Sequence, residues 1–337
     1  MRVAMLSPIS WRTPPRAYGP WELVTSLLTE ALVKRDIDVT LFATLDSQTA
    51  GKLEGVAPRG YSEDPSLEPK VWEALHIAHL FERADEFDLV HNQADFMPVV
   101  FSGLVTTPMV TTIHGFSSER ILPAYQRYAE GSHYVSISNA DRAPSLPYAA
   151  TIHHGIEVEE FPFNPVGSED LLFFGRIHPD KGAGQAIRAA RAAHRRLIIC
   201  GLVQDENYHR REVEPFIDDN RVIFRGVIGG MERLRQLGNA KGLLHLIGFD
   251  EPFGLSVIEA LACGTPVIAY RRGSMPELIE HGVTGYLVDT FEEAVEAIER
   301  LAQIDRRACR RSVEERFTVG RMADDYLSLY RRLLGGA

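Results

Sequence analysis

The stretch that decides the fold is residues 243–266, which read LLHLIGFDEPFGLSVIEALACGTP. An apolar run at its start predicts a buried strand, and a second apolar run, beginning after Gly254, predicts a helix. Gly264 suits the left-handed position that follows a helix, and Pro266 prevents the helix from continuing. The stretch therefore predicts a strand, a loop and a helix in close succession.

The same alternation runs along the whole chain. Strands are predicted at 3–6, 38–42, 89–91, 109–113, 134–137, 171–174, 197–200, 222–224, 243–247 and 266–269. Helices are predicted at 21–34, 71–84, 184–193, 255–262, 291–301 and 322–334. Near-continuous apolar strands that alternate with helices indicate parallel sheets covered by helices on both faces. One such sheet seldom needs more than about 200 residues, so the pattern predicts an α/β fold with two doubly wound, Rossmann-like domains facing a central cleft.

Composition excludes several classes of protein. The chain has 337 residues, of which 45% are hydrophobic, and a formal net charge of −10, so it is neither disordered nor a typical nucleic-acid binder. Its three cysteines are too few and too scattered for a disulfide framework, which fits a cytoplasmic protein. The apolar runs are too short for a signal peptide or a membrane span. We therefore expect no nucleic-acid partner and no stable membrane insertion.

Two carboxylates bracket the predicted start of the helix after residue 254. Glu251 lies in the loop before it, and Glu259 lies in its second turn. The amides from Phe253 to Ser256 are suited to an anion, because a helix N-terminus presents unpaired N–H groups. Glu259 could be an ordinary solvent-facing residue, but its neighbours are almost all apolar, and carboxylates are rarely buried without a partner. The pattern indicates a ligand that is part phosphate and part polyol.

Two cations follow the strand at 171–174. The sequence Gly175-Arg176 is the turn, and Lys181 stands just ahead of the next helix. Arginine and lysine at such a turn are suited to neutralising a leaving diphosphate. The alternative is a pair of solvated surface cations.

Two further segments lie after strands of the first half. Gly19 would let the backbone approach a ligand closely, or it could be a simple entry turn for the helix that follows. His114 ends the strand at 109–113 and is expected at the ligand edge of the sheet, although such a histidine often binds only a backbone carbonyl. Asp36-Ile-Asp38 has the spacing of a metal-binding acidic pair, but it precedes its strand and so points away from the ligand edge. The pairs His76/His79 and His153/His154 would need further ligands that the sequence does not identify, so no metal is expected.

Taken together, these segments resemble the family 4 type of retaining glycosyltransferases, which have the GT-B fold. The resemblance is carried by Glu251 and Glu259 within EPFGLSVIEALACGTPV, and by Phe174-Gly-Arg176 with Lys181 upstream of it. It covers essentially the whole chain and is most specific in the second half. It implies an N-terminal acceptor-side domain at 1–154, a nucleotide-sugar domain at 155–320 and a C-terminal helix at 321–337 that crosses back to the first domain.

Three positions depart from the pattern of this family. Pro20 replaces the second glycine of the usual Gly-Gly after Gly19, and His91-Asn-Gln93 stands in place of a frequent His-x-His. His154 occupies a position where Asn is often found before Gly-Val. These differences concern the acceptor side and the hinge.

The resemblance also implies roles for individual residues. Four residues would be catalytic. Arg176 and Lys181 would bind the diphosphate, Glu251 would contact the sugar, and His114 would lie near the transferred sugar. Nucleotide-sugar contacts are implied for Gly19, Gly175, Val227, Phe253, Gly254, Leu255 and Glu259, with Glu259 on the ribose and Val227 near the base. The co-substrate would be a nucleoside diphosphate sugar, UDP-glucose or GDP-mannose, with no further cofactor.

The function implied is transfer of an α-linked hexose to a hydroxyl acceptor, a sugar or small molecule rather than a lipid, by a monomer or homodimer. Retention could come from attack on the same face as the leaving phosphate or from a covalent intermediate on Glu251. A GT-B-like sugar phosphorylase or nucleotide-sugar epimerase is one alternative. A non-catalytic nucleotide-sugar binding protein is another.

Overall fold

The computed structural model describes residues 1–16, 18–115 and 119–335. The chain divides into two compact units, one made of Met1–Gly155 with Val319–Ala337 and the other of Ile156–Thr318. The boundaries expected from sequence, after residues 154 and 320, fall close to these, and the last two residues of the segment 321–337 lie outside the described residues. Each unit holds one parallel sheet with helices, so the predicted class of two α/β domains is confirmed.

The first unit contains short buried strands and longer helices in alternation. Its strands are β1 (Arg2–Leu6), β2 (Asp38–Phe42), β3 (Lys52–Glu54), β4 (Leu89–Asn92), β5 (Met109–Ile113), β6 (Ser132–Ser136) and β7 (Tyr148–Thr151). Its helices are α1 (Pro20–Val33), α2 (Pro69–Phe81), α3 (Leu122–Arg127) and, from the far end of the chain, α11 (Val319–Leu333). The described strands are all parallel in the order β3-β2-β1-β4-β5-β6-β7.

The second unit repeats this plan. Its strands are β8 (Leu171–Phe174), β9 (Leu197–Cys200), β10 (Val222–Gly226), β11 (Gly242–His245), β12 (Val267–Tyr270) and β13 (Gly285–Val288). Its helices are α4 (Ala183–Ala192), α5 (Glu206–Tyr208), α6 (Gly230–Asn239), α7 (Leu255–Ala262), α8 (Met275–Leu278), α9 (Phe291–Arg300) and α10 (Arg306–Arg316). The order in this sheet is β10-β9-β8-β11-β12-β13, again with parallel pairing.

The order of each sheet reverses once. In the second unit the reversal lies between β8 and β11, which pair directly although 67 residues separate Phe174 from Gly242. A crevice opens beyond the carboxyl ends of the two strands at such a reversal, and this is where open α/β sheets bind ligands. The loops after β8 and β11 are therefore the first place to look for a site. Across the described residues, no helix has the length and apolar content needed to cross a membrane.

Candidate functional site

The loops after β8 and β11 are packed backbone against backbone. Gly182 has φ +74°, and a Cβ at this position would lie 2.1 Å from the carbonyl oxygen of Leu246. The amide of Gly248 donates to the carbonyl of Asp180 at 3.2 Å, which joins the same two loops. Only glycine fits at residue 182, because the left-handed conformation and the close approach both exclude a side chain. The two loops that carry Lys181 and Glu251 are thus held in fixed register.

A second close approach supports the turn after β8. The carbonyl oxygen of Gly175 would lie 1.7 Å from a Cβ on Gly201, which directly follows β9 and has φ +158°. The amide of Gly175 donates to Cys200 at 3.0 Å, so the turn is anchored on the neighbouring strand. Sequence reasoning selected Gly175 and missed Gly201, although a glycine placed directly after a buried strand was the available signal.

Lys181 and Glu251 form an ion pair at the reversal point. Lys181 Nζ lies 2.5 Å from Glu251 Oε2, and the two side chains are only 16% and 14% exposed. The ammonium also lies 4.7 Å from the centre of the Phe249 ring, a cation–π contact. The structure thus brings together two residues that lie 70 positions apart in the sequence and were singled out separately.

Glu251 is held from its other side by the segment after β12. Gly273 has φ +53°, and a Cβ there would lie 2.5 Å from the Glu251 amide nitrogen. The Ser274 amide donates to the Glu251 carbonyl at 3.0 Å, and the Ser274 hydroxyl donates to the carbonyl of Phe253. The backbone around Glu251 is therefore fixed by contacts on both sides, so its carboxylate is preorganised rather than carried on a loose loop.

Arg176 lies in the same turn as Gly175 and is half-buried. Its Nη1 donates to Oε1 of Gln204, a residue in the segment after β9 that sequence reasoning missed. The amide partner is neutral, so the charge of the guanidinium is not cancelled by this contact. Arg176 and Lys181 thus contribute two cations to one turn, of which one is paired with a carboxylate and one with an amide.

The N-terminus of α7 starts where the sequence predicts. Gly254 is the N-cap residue, with φ +105° and no side-chain hydrogen bond to the first amides. A Cβ on Gly254 would lie 2.9 Å from the terminal methyl of Met275. Phe253 is buried and Leu255 is half-buried. In the first turn of α7 the Val257 amide donates to the Gly254 carbonyl at 3.0 Å, whereas the N–H groups of Leu255 and Ser256 precede the first intrahelical acceptor, as at any helix start.

Glu259 is buried, with 5% of its side chain exposed, and pairs with Arg233 on α6. The Arg233 guanidinium also lies over the rings of Phe161 and Phe174, at 5.6 and 5.8 Å. Sequence reasoning expected a buried Glu259 with a functional partner but did not find Arg233. A buried carboxylate needs a counter-charge, and Arg233 supplies it to Glu259 within an apolar helix.

His245 ends β11 and lies beside the Lys181–Glu251 pair. Burial lowers the pKa of His245 to about 4, while the Glu251 carboxylate acts against this effect. Its Nε2 has no hydrogen-bond partner among the described residues.

Val227, which the resemblance implies near the nucleobase, is exposed and follows Gly226, whose φ is +65°. The structure places Val227 after β10, which two strands, β9 and β8, separate from β11 in the sheet.

Gly19 and His114 belong to the first unit. Gly19 is the N-cap of α1 with φ +147°, and Trp21 in the first turn stacks on the His114 ring at 5.3 Å between centroids. His114 directly follows β5 and is buried, with 7% of the residue exposed. The structure therefore places these two predicted residues on neighbouring elements of one unit, linked through Trp21.

Glu22 is a buried carboxylate next to this turn that sequence reasoning did not select. Its Oε1 accepts the Trp11 amide at 3.1 Å, and a Cβ on Gly19 would lie 2.9 Å from its Oε2. Burial raises the pKa of Glu22 to about 7, and the negative charge of Glu63 adds to this effect. The carboxyl thus titrates near neutral pH in the first turn of α1, against the loop that follows β1.

Replacing Glu22 with glutamine is expected to stabilise the protein in a pH-dependent way. The raised pKa means that the folded protein holds this proton more tightly than the unfolded chain between about pH 4.5 and 7. The free energy of unfolding of the wild type therefore falls across that window. The E22Q variant avoids this loss. Its free energy of unfolding should therefore exceed that of the wild type by up to about 3 kcal/mol at pH 8 and should equal it at pH 4. Urea unfolding at pH 4, 6 and 8 measures the difference in stability between E22Q and the wild type. A stabilisation that does not depend on pH would contradict the raised pKa of Glu22.

Comparison with known proteins bears directly on the second unit. Residues 157–316 match the family model described as glycosyl transferases group 1. The matched residues make up nearly all of the second unit, Ile156–Thr318. The chain also superposes over nearly its full length on solved GT-B glycosyltransferases, with TM-scores of 0.74 and 0.79.

Individual relatives extend the comparison to the rest of the chain. It is 25% identical to an uncharacterized glycosyltransferase, MJ1607, of Methanocaldococcus jannaschii, over 86% of this chain and 85% of that protein. It is 29% identical to the D-inositol 3-phosphate glycosyltransferase of Mycolicibacterium smegmatis over 61% of this chain, and it spans about half (51%) of that relative. The structure of Anabaena HepE in complex with UDP aligns with a TM-score of 0.75 and 19% identity, over 97% of this chain and 99% of that one.

The group 1 match and the names of these relatives confirm the prediction of a glycosyltransferase enzyme. Within the described ranges, no three His, Cys, Asp or Glu side chains are grouped so that they could hold a metal ion.

Proposed function

We propose that this glycosyltransferase is a retaining enzyme of the family 4 type. It would transfer an α-linked hexose from a nucleoside diphosphate sugar, UDP-glucose first, to a hydroxyl acceptor. The observation that carries this proposal is the group at the reversal of the second sheet: the Lys181–Glu251 pair, the neighbouring Arg176 and the start of α7. Cations, a carboxylate and the backbone amides of a helix start are the groups that a sugar diphosphate needs.

The leaving diphosphate gains negative charge as the bond from the anomeric carbon to the phosphate oxygen breaks. Groups that already point at this charge stabilise the transition state without reorganising, by roughly 3 kcal/mol each. Lys181 is fixed by Glu251 and Phe249, and its loop is fixed by Gly182. Arg176, held by a neutral amide, retains its charge for a phosphate oxygen.

The acceptor hydroxyl would attack on the face from which the diphosphate leaves, and its proton would pass to a leaving-phosphate oxygen. The pairing of Glu251 with Lys181 supports this route over a covalent sugar intermediate. A carboxylate that shares its charge with an ammonium at 2.5 Å is a weaker nucleophile than a free one. In this proposal the protein's own cations serve the diphosphate, and no metal or further cofactor takes part.

The HepE complex supports UDP as the first nucleotide to test, because that neighbour of the same fold is described with UDP bound. In the second unit the nucleoside would extend from the diphosphate groups toward Glu259, whose carboxylate is suited to ribose hydroxyls. We propose the carboxyl edge of the first sheet, which includes Gly19 and His114, as the region that supports the acceptor. A sugar or small polar molecule fits the polar loops there.

Thermal shift with UDP, GDP and ADP tests the donor site, because a ligand that binds only the folded state raises the melting temperature. UDP at 100 times its Kd should stabilise the protein by about 2.7 kcal/mol. Incubation with UDP-glucose and a panel of small hydroxyl acceptors then tests transfer, and the anomeric configuration of the product tests retention. No shift with any nucleotide would refute the donor site. Cleavage by inorganic phosphate or epimerisation without an acceptor would refute transfer.

A further inference from the structure

A continuous chain of buried polar side chains runs through the first unit, from α11 to the ends of β4 and β5. We call it the imidazole chain, and its members are Tyr330, His91, Gln93, His114 and His154. The Tyr330 hydroxyl lies 2.5 Å from His91 Nδ1, and Gln93 Nε2 lies 3.0 Å from His91 Nε2. The Thr112 hydroxyl lies 2.8 Å from the same Nε2 and can donate to it when the nitrogen is bare. Gln93 Oε1 lies 2.6 Å from His114 Nε2, and His114 Nδ1 lies 3.3 Å from His154 Nε2.

The direction of the chain follows from the chemistry of Gln93. An amide oxygen only accepts and an amide nitrogen only donates. The contact with His114 therefore requires a proton on His114 Nε2, and the contact with His91 requires a bare Nε2 on that ring. The second amide proton of Gln93 points toward Met5 Sδ at 3.8 Å, and a thioether can only accept.

Burial keeps all three imidazole rings neutral at neutral pH, so each ring has one nitrogen that donates and one that accepts. It lowers the pKa of His91 and of His114 to about 3 and that of His154 well below its ordinary value. For His154, the positive charge of Arg321 acts in the same direction. A neutral imidazole has one donor and one acceptor nitrogen, so each bond in the imidazole chain determines the next.

We infer that Gln93 is a positioning residue that holds His114 as the tautomer protonated on Nε2. The bare Nδ1 of His114 then accepts from His154 Nε2, and His91 donates from Nδ1 to the Tyr330 oxygen. Trp21, stacked on His114 with 21° between the rings, fixes the plane that this tautomer needs. Gln93 stands where the family resemblance leads one to expect a histidine. An amide sets donor and acceptor permanently, whereas an imidazole could exchange them by moving a proton.

The tautomers can be read directly from the full-length protein with ¹⁵N-labelled histidine rings, since protonated and bare ring nitrogens have well-separated shifts in long-range ¹H–¹⁵N spectra. Signals are assigned through their loss in His91→Asn and His114→Asn. We expect His114 protonated on Nε2 and His91 on Nδ1, unchanged from pH 8 to pH 5. A wild-type spectrum with His114 protonated on Nδ1 would overturn the inference without need of any variant.

Two substitutions of Gln93 test whether this side chain determines which ring nitrogens carry the protons. Gln93→Glu replaces the donating end with an acceptor, so the His91 proton should move from Nδ1 to Nε2 while His114 stays protonated on Nε2. Gln93→Leu removes both contacts, and His114 should then populate both tautomers. Gln236→Leu in the second unit, where Gln236 donates to Glu232, is the matched control and should leave both rings unchanged. Ring signals of His114 that are identical in Gln93→Leu and wild type would contradict the assignment.

The effect on catalysis rests on the proposed function. Gln93→Leu should lower kcat about tenfold and leave the KM for UDP-glucose within twofold, because the donor residues lie in the second unit. If the spectra are as expected but the wild type transfers no sugar, the proposed function fails and the tautomer assignment stands. If sugar is transferred but His114 is protonated on Nδ1, the tautomer assignment fails and the proposed function stands.

Discussion

Replacing Lys181 with methionine is expected to abolish measurable sugar transfer, with a loss in kcat of roughly 10²–10³-fold, the magnitude found when one preorganised charge-stabilising group is removed. The methionine keeps the length and apolar stem of the side chain, so the contact with Phe249 is largely preserved while the charge is lost. The loss should appear in kcat more than in the KM for the donor, because charge on the diphosphate grows in the transition state. Initial rates with UDP-glucose measure both.

Two further variants separate catalysis from folding. Lys181→Met leaves Glu251 half-buried and unpaired, which should cost roughly 1–3 kcal/mol of stability, between the values for exposed and buried pairs. The double variant K181M/E251Q should recover most of this stability and none of the activity. Lys241→Met is the matched control, since Lys241 pairs with Glu169 at 2.8 Å ahead of β11, at the opposite end of the strand. Transfer by K181M above a tenth of the wild-type rate would remove Lys181 from the mechanism.

Replacing Arg233 with methionine is expected to give the largest loss of stability, about 3 kcal/mol in the free energy of unfolding. The Glu259 carboxylate is 5% exposed, so without Arg233 it becomes an uncompensated charge inside the unit. Removing one partner of a buried ion pair typically costs 3–5 kcal/mol, and the 27% exposure of Arg233 places the expected value at the lower end. Urea unfolding of the variant and the wild type measures the loss.

Arg235→Met is the control, because Arg235 lies on the same helix and pairs with Glu232 at the surface, where 57% and 40% of the two side chains are exposed. The free energy of unfolding of R235M should fall by less than about 1 kcal/mol. The double variant R233M/E259Q should be more stable than R233M, since it no longer buries a lone charge. E259Q alone should weaken UDP binding about tenfold, the equivalent of one charge-assisted hydrogen bond. Equal losses in R233M and R235M would show that Glu259 does not depend on its partner.

The sequence predicted the central strands and α7 well because burial leaves a strong pattern there. The bounds of β2, β5, β8, β9 and α7 agree with the structure to the residue. The edge strands β3 and β7 were missed because they are short and half-buried, so no apolar run marks them. The edge strand β13 was missed as well, although all four of its residues are buried. Helix α6 was missed because glycines lie near both of its ends and its composition is mostly polar.

At the site, the sequence identified charged residues but not their partners. Lys181 and Glu251 were chosen from their positions after strands, and the 2.5 Å contact between them follows only from the pairing of β8 with β11. Arg233 could not be found, because it lies on a helix that was not predicted, 26 positions from Glu259. Gln93 was noted only as a departure from a family pattern. Its contacts depend on the packing of β4, β5 and α11, which no local sequence signal encodes.

Helix α11 has a consequence for how the protein is made. It follows the second unit in sequence, yet its Tyr326 and Tyr330 are buried in the first unit and bond to Thr112 and His91. The second unit is one uninterrupted segment, whereas the first unit cannot complete its core until α11, which lies beyond the whole second unit in the sequence, has left the ribosome. Until then, the surface that α11 covers is open to water, and the nascent N-terminal half is the part of the chain that chaperones have most reason to protect.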